Sequence, residues 1–232
     1  MAGSSAIAAF VPDVRRPHRC GYFLAGLIAF LVTFPFLEDV ARPLILSMPI
    51  AIVFVAGVMV ADAGAMNVRR ASVLASIQIG LTVLSLVDRE VNTSFHVSVA
   101  LALVFAVGLI LFSTWCLLRY VLRAAVISRD QIYAGICMYV MLGFAFGVIF
   151  YLLNILDPRS FAANVPLLEG DKPDLMYFSF VTLATLGYGD ITPRTHLARS
   201  LAVVEALAGM LYIAIFMARL VSMRGESNAA AN

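Results

Sequence analysis

Residues 185–190 have the sequence Thr185-Leu186-Gly187-Tyr188-Gly189-Asp190, and they directly follow an amphipathic run from Asp174 to Ala184 between two long apolar segments. Gly187 and Gly189 are separated by a single residue. Glycine adopts positive φ at little cost, so this spacing favours a backbone that alternates in conformation and aims successive carbonyl groups at one axis. Such a row of carbonyls can replace the hydration shell of a cation. We therefore predict an ion selectivity filter at residues 185–189, with the Thr185 hydroxyl as a further ligand at its inner end.

The longer tract from Tyr177 to Pro193, YFSFVTLATLGYGDITP, resembles the pore of bacterial-type potassium channels. With its flanking helices the resemblance covers residues 131–224. It implies a homotetramer with the pore on its four-fold axis and an inner cavity lined by the last helix. The ligands of K+ that the resemblance implies are Thr185, Leu186, Gly187, Tyr188 and Gly189.

The tract departs from the pattern of this family in the filter and in the helix before it. Leu186 occupies a position where valine is usual, which keeps an apolar side chain there. An aromatic pair that is often Trp-Trp is Tyr177-Phe178, and an acid that some members carry is replaced by Val181. These departures affect the side chains whose hydrogen bonds usually brace the filter in this family.

The composition of the whole chain is that of an integral membrane protein. Of its 232 residues, 62% are hydrophobic and 13% are charged, which excludes an ordinary soluble domain. A helix needs about 20 mainly apolar residues to cross the hydrocarbon core of a membrane. The qualifying stretches are 21–38, 43–62, 71–88, 95–118, 132–154 and 199–222. The predicted fold is all-α, with six transmembrane helices and a re-entrant pore helix and filter loop between the fifth and sixth.

The distribution of charge divides the chain into predicted units and gives its orientation. The predicted units are a cytoplasmic N-terminal segment (1–20), a four-helix transmembrane unit (21–118), a cytoplasmic interfacial link (119–131), a pore domain (132–224) and a short cytoplasmic tail (225–232). Cytoplasmic loops are enriched in arginine and lysine. If the N-terminus lies inside the cell, most arginines of this chain fall on the cytoplasmic side. Both termini are then cytoplasmic in a multi-pass protein of the cell (plasma or inner) membrane.

The four-helix unit is similar in plan to the first part of six-span cation channels but lacks their arginine series. No arginine or lysine occurs from Phe95 to Leu118. Arg119 and Arg123 follow at the predicted cytoplasmic end, where long basic side chains reach the interface. Charges sense voltage only if they lie within the membrane field, so this unit is not predicted to be a voltage sensor.

Several residues around the filter allow two interpretations. Asp190 is either an outer-mouth carboxylate that attracts cations or a brace of the filter that pairs with the Tyr177 hydroxyl. Before the filter, residues 155–172 are predicted to form an outer turret. Pro173 then suits the first turn of a short helix, whose positive N-terminal end is favoured by Asp171 or Asp174.

The last apolar stretch, 199–222, is a predicted membrane span that contains one acid, Glu205, and one glycine of interest, Gly209. An ionisable residue inside a membrane is a functional hypothesis by default, and for Glu205 we expect a hydrogen bond to the pore helix or to a neighbouring subunit. Gly209 is a candidate hinge, with close helix packing as the alternative. In the fifth stretch, three residues separate Gly143 from Gly147, and this spacing of small residues indicates close helix contact. The candidate inner gate, with helix packing as its alternative, is the stripe Ile213, Phe216, Met217 and Leu220.

These observations predict a subunit of a potassium-selective channel that conducts K+ passively through a homotetrameric pore. K+ is the permeating ion, and the partners are other copies of the chain and membrane lipid. The net charge of +2 gives no reason to expect nucleic acid, and no motif of an enzyme is present, so the chain is not predicted to be one. The alternatives are a nonselective cation channel, a nonconducting or regulatory membrane subunit, and an uptake transporter, for which several pore loops in one chain are expected.

Overall fold

A computed structural model describes residues 19–33, 44–61, 64–91, 95–123, 129–163 and 174–229. The described part is mainly helical, as predicted. Its elements are α1 (Arg19–Thr33), α2 (Leu44–Val60), α3 (Ala65–Val91), α4 (Phe95–Arg123), α5 (Arg129–Leu156), β1 (Phe161–Ala163), α6 (Leu175–Leu183), β2 (Ile191–Pro193) and α7 (His196–Ala229). The N-terminal segment before Arg19, the second half of the predicted turret including Asp171, and Pro173 lie outside the described residues.

Three helices in the described part of the chain are long and apolar enough to cross a membrane. They span Val97–Arg123, Arg129–Leu156 and His196–Ser222, which correspond to the predicted fourth, fifth and sixth stretches. Shorter apolar helices lie at Arg19–Thr33 and Ala51–Val60. The chain therefore has membrane-capable helices, while the arrangement of six spans remains a prediction.

Three helices, α4, α5 and α7, are longer than the apolar stretches that predicted them. α4 continues to Arg123, and α5 begins at Arg129. α7 begins at His196 and extends to Ala229, beyond the predicted stretch 199–222. Apolar stretches mark the part of a helix that suits a membrane, whereas backbone hydrogen bonding carries the helix into its polar flanks.

α5 lies at the centre of the fold, where it contacts α1, α4, α6 and α7. Its Phe144 ring is almost completely buried and packs against Phe30 of α1, Phe54 of α2 and Phe180 of α6, with ring centroids 5.3, 6.2 and 5.4 Å away. A hydrogen bond of 2.8 Å from the Ser113 hydroxyl to the Phe54 carbonyl joins α4 to α2. One hydrophobic core therefore connects the first four helices to the short helix α6.

A two-stranded antiparallel sheet follows α5 and corrects the all-α prediction in this detail. β1 pairs with β2 so that Phe161 lies opposite Pro193 and Ala163 lies opposite Ile191. The Arg194 amide donates to the Ser160 carbonyl at 2.8 Å, which extends the contact by one more bond. Strands this short carry too few residues for a recognisable alternation in sequence. The sheet connects the end of α5 to the chain that follows the filter.

Candidate pore loop

α6 begins at an acidic cap, as expected for a helix whose N-terminal end favours negative charge. Asp174 has extended backbone geometry, and its carboxylate accepts a hydrogen bond of 3.0 Å from the Tyr177 amide. This contact satisfies one of the amides that a helix start leaves unpaired. The alternative acid, Asp171, lies outside the described residues.

The C-terminal end of α6 turns directly into the filter through a Schellman motif. The Leu186 amide donates to the Val181 carbonyl at 2.9 Å, and the Thr185 amide donates to the Thr182 carbonyl at 2.9 Å. This pair of bonds places the residue after the helix cap in the left-handed region, a position that is usually glycine. Thr185 occupies it with φ of 58°. Thr185, the first residue of the predicted filter, thus also terminates α6.

Positive φ recurs at alternate positions along the filter. Gly187 has φ of 59° and Gly189 has φ of 77°, as Thr185 has before them. Nothing lies within 4 Å of a Cβ built on either glycine. Backbone conformation, rather than space, therefore accounts for both glycines. The sequence argument predicted the positive φ of both glycines but not that of Thr185, because a β-branched residue in the left-handed region is a rare outlier.

Two glycines of α5 let α6 approach closely. A Cβ at Gly143 would lie 2.6 Å from the Phe180 ring, and one at Gly147 would lie 2.5 Å from the sulfur of Met176. Both distances are shorter than a normal contact, so the small residues at this spacing are accounted for by close helix packing.

The other side of α6 is held by α7 at Gly209. A Cβ at Gly209 would lie 2.6 Å from the Leu183 carbonyl oxygen and 2.9 Å from its Cδ1. The same carbonyl accepts a hydrogen bond of 3.1 Å from the Tyr139 hydroxyl of α5. The close approach to Leu183 explains why a glycine stands at position 209, and it supports the packing interpretation over a hinge.

Glu205 lies one turn before Gly209 and is completely buried between helices. Its Oε1 is within hydrogen-bonding distance of the Ser179 hydroxyl of α6. Ser179 Oγ is also 2.8 Å from the Gly143 carbonyl oxygen of α5. The expected contact between Glu205 and the pore helix is present within a single chain.

Tyr177 and Asp190 come together at the outer end of the loop. Hydrogen bonding to the Asp190 carboxylate, with the nearby negative charge, raises the pKa of Tyr177. Asp190 also accepts a hydrogen bond of 3.0 Å from the amide of Ile191. A carboxylate with both contacts is suited to brace the chain where it leaves the filter.

The candidate gate residues lie in different surroundings. Ile213 and Met217 are 50% and 52% exposed in the single chain, whereas Leu220 is half-buried. Phe216 stacks on Tyr212 at a centroid distance of 5.8 Å, and its ring lies against Gly135 of α5. Phe216 therefore has a packing partner within the chain, which the stripe pattern alone could not distinguish from a gate.

Comparison with known proteins gives the class to which this loop belongs. The sequence model of the ion channel family matches residues 137–224. The chain is 41% identical over 64 residues to "Probable potassium channel protein 2" of Methanocaldococcus jannaschii, an alignment that covers 27% of this chain and 19% of the relative. It is 35% identical over 71 residues to the inward rectifier potassium channel Kirbac3.1 of Paramagnetospirillum magnetotacticum, covering 29% of this chain and 24% of the relative.

A third relative is matched over more of its length. The chain is 28% identical over 99 residues to Protein LctB of Bacillus caldotenax, covering 41% of this chain and 73% of the relative. No solved structure matches the chain.

Residues 137–224 are therefore similar to an ion channel domain. The resemblance to the bacterial-type potassium channel family is confirmed by this match and by the potassium channels among the relatives. The chain spans no more than 24% of the length of either potassium channel reported above.

Proposed function

We propose that the chain is a subunit of a potassium-selective channel and that residues 185–189 coordinate K+ with their backbone carbonyls. The alternation of positive φ at Thr185, Gly187 and Gly189 is the observation that carries the proposal. Positive φ is costly for Thr185 and open to the two glycines, and the alternation is what turns successive carbonyls toward one side. The ion channel domain and the potassium channels among the relatives support the same assignment.

The helix α6 supports the filter in two ways under this proposal. Its carbonyl end adjoins Thr185, so the negative end of its dipole favours a cation near the inner end of the filter. The carbonyls of Phe180, Val181, Thr182 and Leu183 each already accept a hydrogen bond within the chain. α6 therefore acts through its dipole and by holding the filter in place, while the direct ligands come from the residues after it.

We propose that four copies assemble around the filter, since one loop supplies a quarter of a four-fold cage. Within the single chain, only 11% of the most apolar segment of α7 is buried, compared with 61% of the corresponding segment of α5. The side chains of Leu186 and Tyr188 are also 56% and 67% exposed. Lipid could cover α7, but filter side chains beside an ion path need protein around them. Neighbouring copies of the chain would cover both the exposed face of α7 and the side chains of Leu186 and Tyr188.

The remaining features of the proposal concern the membrane. The apolar stretches support the six-span arrangement and the re-entrant position of α6. The arginine distribution supports the cytoplasmic termini and the location in the cell membrane.

Asp190 and Tyr177 brace the outer end of the filter. Ile213, Met217 and Leu220 form the inner constriction, and Gly209 serves first as the contact with α6.

Ion flux from the purified protein tests this function. Reconstituted vesicles are expected to pass K+ and Rb+ and to exclude Na+, and native mass measurement is expected to give four chains. Similar K+ and Na+ permeability would favour the nonselective cation channel. An absence of flux from a tetramer that is intact by mass would favour the nonconducting subunit.

A further inference from the structure

Glu205 is a fully buried acid in the middle of the pore domain whose surroundings supply few hydrogen bonds. Its relative exposure is 0%. Its Oε2 has no hydrogen-bond partner among the described residues, and the ion pairs of that part of the chain do not include it. The facing titratable group on α5 is Tyr139, whose hydroxyl donates to the Leu183 carbonyl instead.

The protons available at Ser179 decide which form of Glu205 fits this site. Ser179 Oγ lies close to two oxygens, Glu205 Oε1 and the Gly143 carbonyl oxygen. A hydroxyl has one proton to donate, and a backbone carbonyl can only accept. If Glu205 were ionised it would also only accept, so one of the two close oxygen pairs would have no proton between them.

A neutral Glu205 resolves this shortage. The protonated Oε1 donates to Ser179 Oγ, and the Ser179 hydroxyl is then free to donate to the Gly143 carbonyl. Each close pair of oxygens then contains one proton. The unpaired Oε2 becomes the oxygen of a neutral acid, which is less costly to bury than an oxygen of a charged carboxylate.

We propose that Glu205 is a neutral carboxylic acid that positions the pore helix through the chain Glu205 to Ser179 to Gly143. The chain of hydrogen bonds runs from α7 through α6 to α5 and thereby fixes the helix that ends in the filter. Its consequence for conduction rests on the proposed channel function, whereas the protonation state of Glu205 does not.

Infrared spectroscopy of the full chain in detergent tests the protonation state directly. Wild-type protein at neutral pH is expected to show the carbonyl stretch of a protonated carboxylic acid, and Glu205→Gln is expected to lack it. The exposed acids are ionised at this pH and do not contribute to that band. A wild-type spectrum without the band, or a band that survives in Glu205→Gln, would overturn the proposal.

Matched variants test the hydrogen-bond chain. Glu205→Gln keeps the shape of the side chain and donates an amide N–H to Ser179, so its thermal stability is expected to stay near that of wild type. Glu205→Ala removes the first member of the hydrogen-bond chain and Ser179→Ala removes its middle member, so both variants are expected to lower the thermal midpoint. If Glu205→Gln is destabilised as much as Glu205→Ala, the acid acts as a charge and the proposal is wrong.

A pH series separates positioning from mere packing. Relative to Glu205→Gln, wild-type protein is expected to lose stability reversibly as pH rises above the ordinary range of a glutamate, because the unfolded chain then ionises Glu205 while the folded protein keeps it protonated, until the folded acid ionises as well. Equal pH profiles for the two proteins would contradict the inference. Since these measurements need no ion flux, they can succeed when the potassium assay fails, so the two proposals fail separately.

Discussion

Replacing Gly209 with alanine gives the sharpest test of how the filter is held. The new Cβ would lie 2.6 Å from the Leu183 carbonyl oxygen and 2.9 Å from Leu183 Cδ1. Overpacking of this kind costs about 1–3 kcal/mol. Alanine in place of a helical glycine returns about 1 kcal/mol of helix propensity. We therefore expect Gly209→Ala to lower the free energy of unfolding by up to about 2 kcal/mol relative to wild type.

The position of the obstacle makes a functional effect stronger than the loss of stability. The Leu183 carbonyl belongs to backbone, so α6 must move if α7 does not. Leu183 is the last residue of α6, and Thr185 follows it by two positions in the filter. A shift of Leu183 would therefore be passed to Thr185, the first proposed ion ligand, and K+ flux is expected to fall more than stability does.

Gly108→Ala is the matched control for this change. Gly108 lies within α4, and nothing lies within 4 Å of a Cβ built there. This variant is expected to be neutral or to gain about 1 kcal/mol. Thermal unfolding in detergent and K+ flux from vesicles would be measured for both variants in parallel. If Gly209→Ala matches Gly108→Ala in both assays, the contact with Leu183 does not constrain the filter. A change in gating without a loss of stability would instead favour the hinge.

Three further predictions concern the filter, its brace and voltage. Gly187→Ala is expected to abolish K+ flux in a normally assembled protein, because an L-residue in this left-handed backbone costs about 1–2 kcal/mol; Gly80→Ala, in open space on α3, is its control, and normal flux from Gly187→Ala would contradict the filter assignment. Tyr177→Phe removes the hydroxyl that interacts with the Asp190 carboxylate and is expected to weaken selectivity for K+ over Na+, which ion-substitution assays measure. Steep voltage gating needs about 3–4 charges per subunit within the field, each gaining about 2.3 kcal/mol per 100 mV, so conductance is expected to be nearly flat with voltage. A steep curve that flattens when Arg119 and Arg123 are both replaced by glutamine would refute this.

The sequence predicted the parts of the pore loop that rest on local chemistry. Gly187 and Gly189 are recognisable because few other residues adopt positive φ without cost. An acid at the start of α6 was expected because a helix start favours negative charge, with Asp171 and Asp174 as the alternatives. Gly143 and Gly147 were predicted as packing positions from their spacing alone. Each of these signals is carried by the residue itself or by its near neighbours in sequence.

The features that sequence could not give depend on contacts between distant segments. Thr185 adopts positive φ because the Schellman motif and the filter both require that conformation at one position, and threonine itself gives no sign of it. The strand at Phe161 exists only because Ile191–Pro193 lies beside it. Phe216 was assigned to a stripe by its spacing, yet its partner, Gly135, is on another helix. Helical periodicity gives the face of a residue but not what covers that face.

The described contacts make α5 the route by which the first four helices can influence the pore. At one end of α5, Asp130 accepts from the Cys20 amide of α1 at 3.2 Å and from the Tyr120 hydroxyl of α4 at 3.4 Å. Near the same level of the fold, Arg219 of α7 donates to the Val121 carbonyl of α4 at 2.8 Å. The filter end is held by the middle of α5 instead, through Gly143 and the pore helix. α1 and α4 therefore bond to the ends of α5 and α7 that lie away from the predicted filter, where α7 carries the candidate inner constriction, while α1 and α2 also pack on the middle of α5 through Phe144.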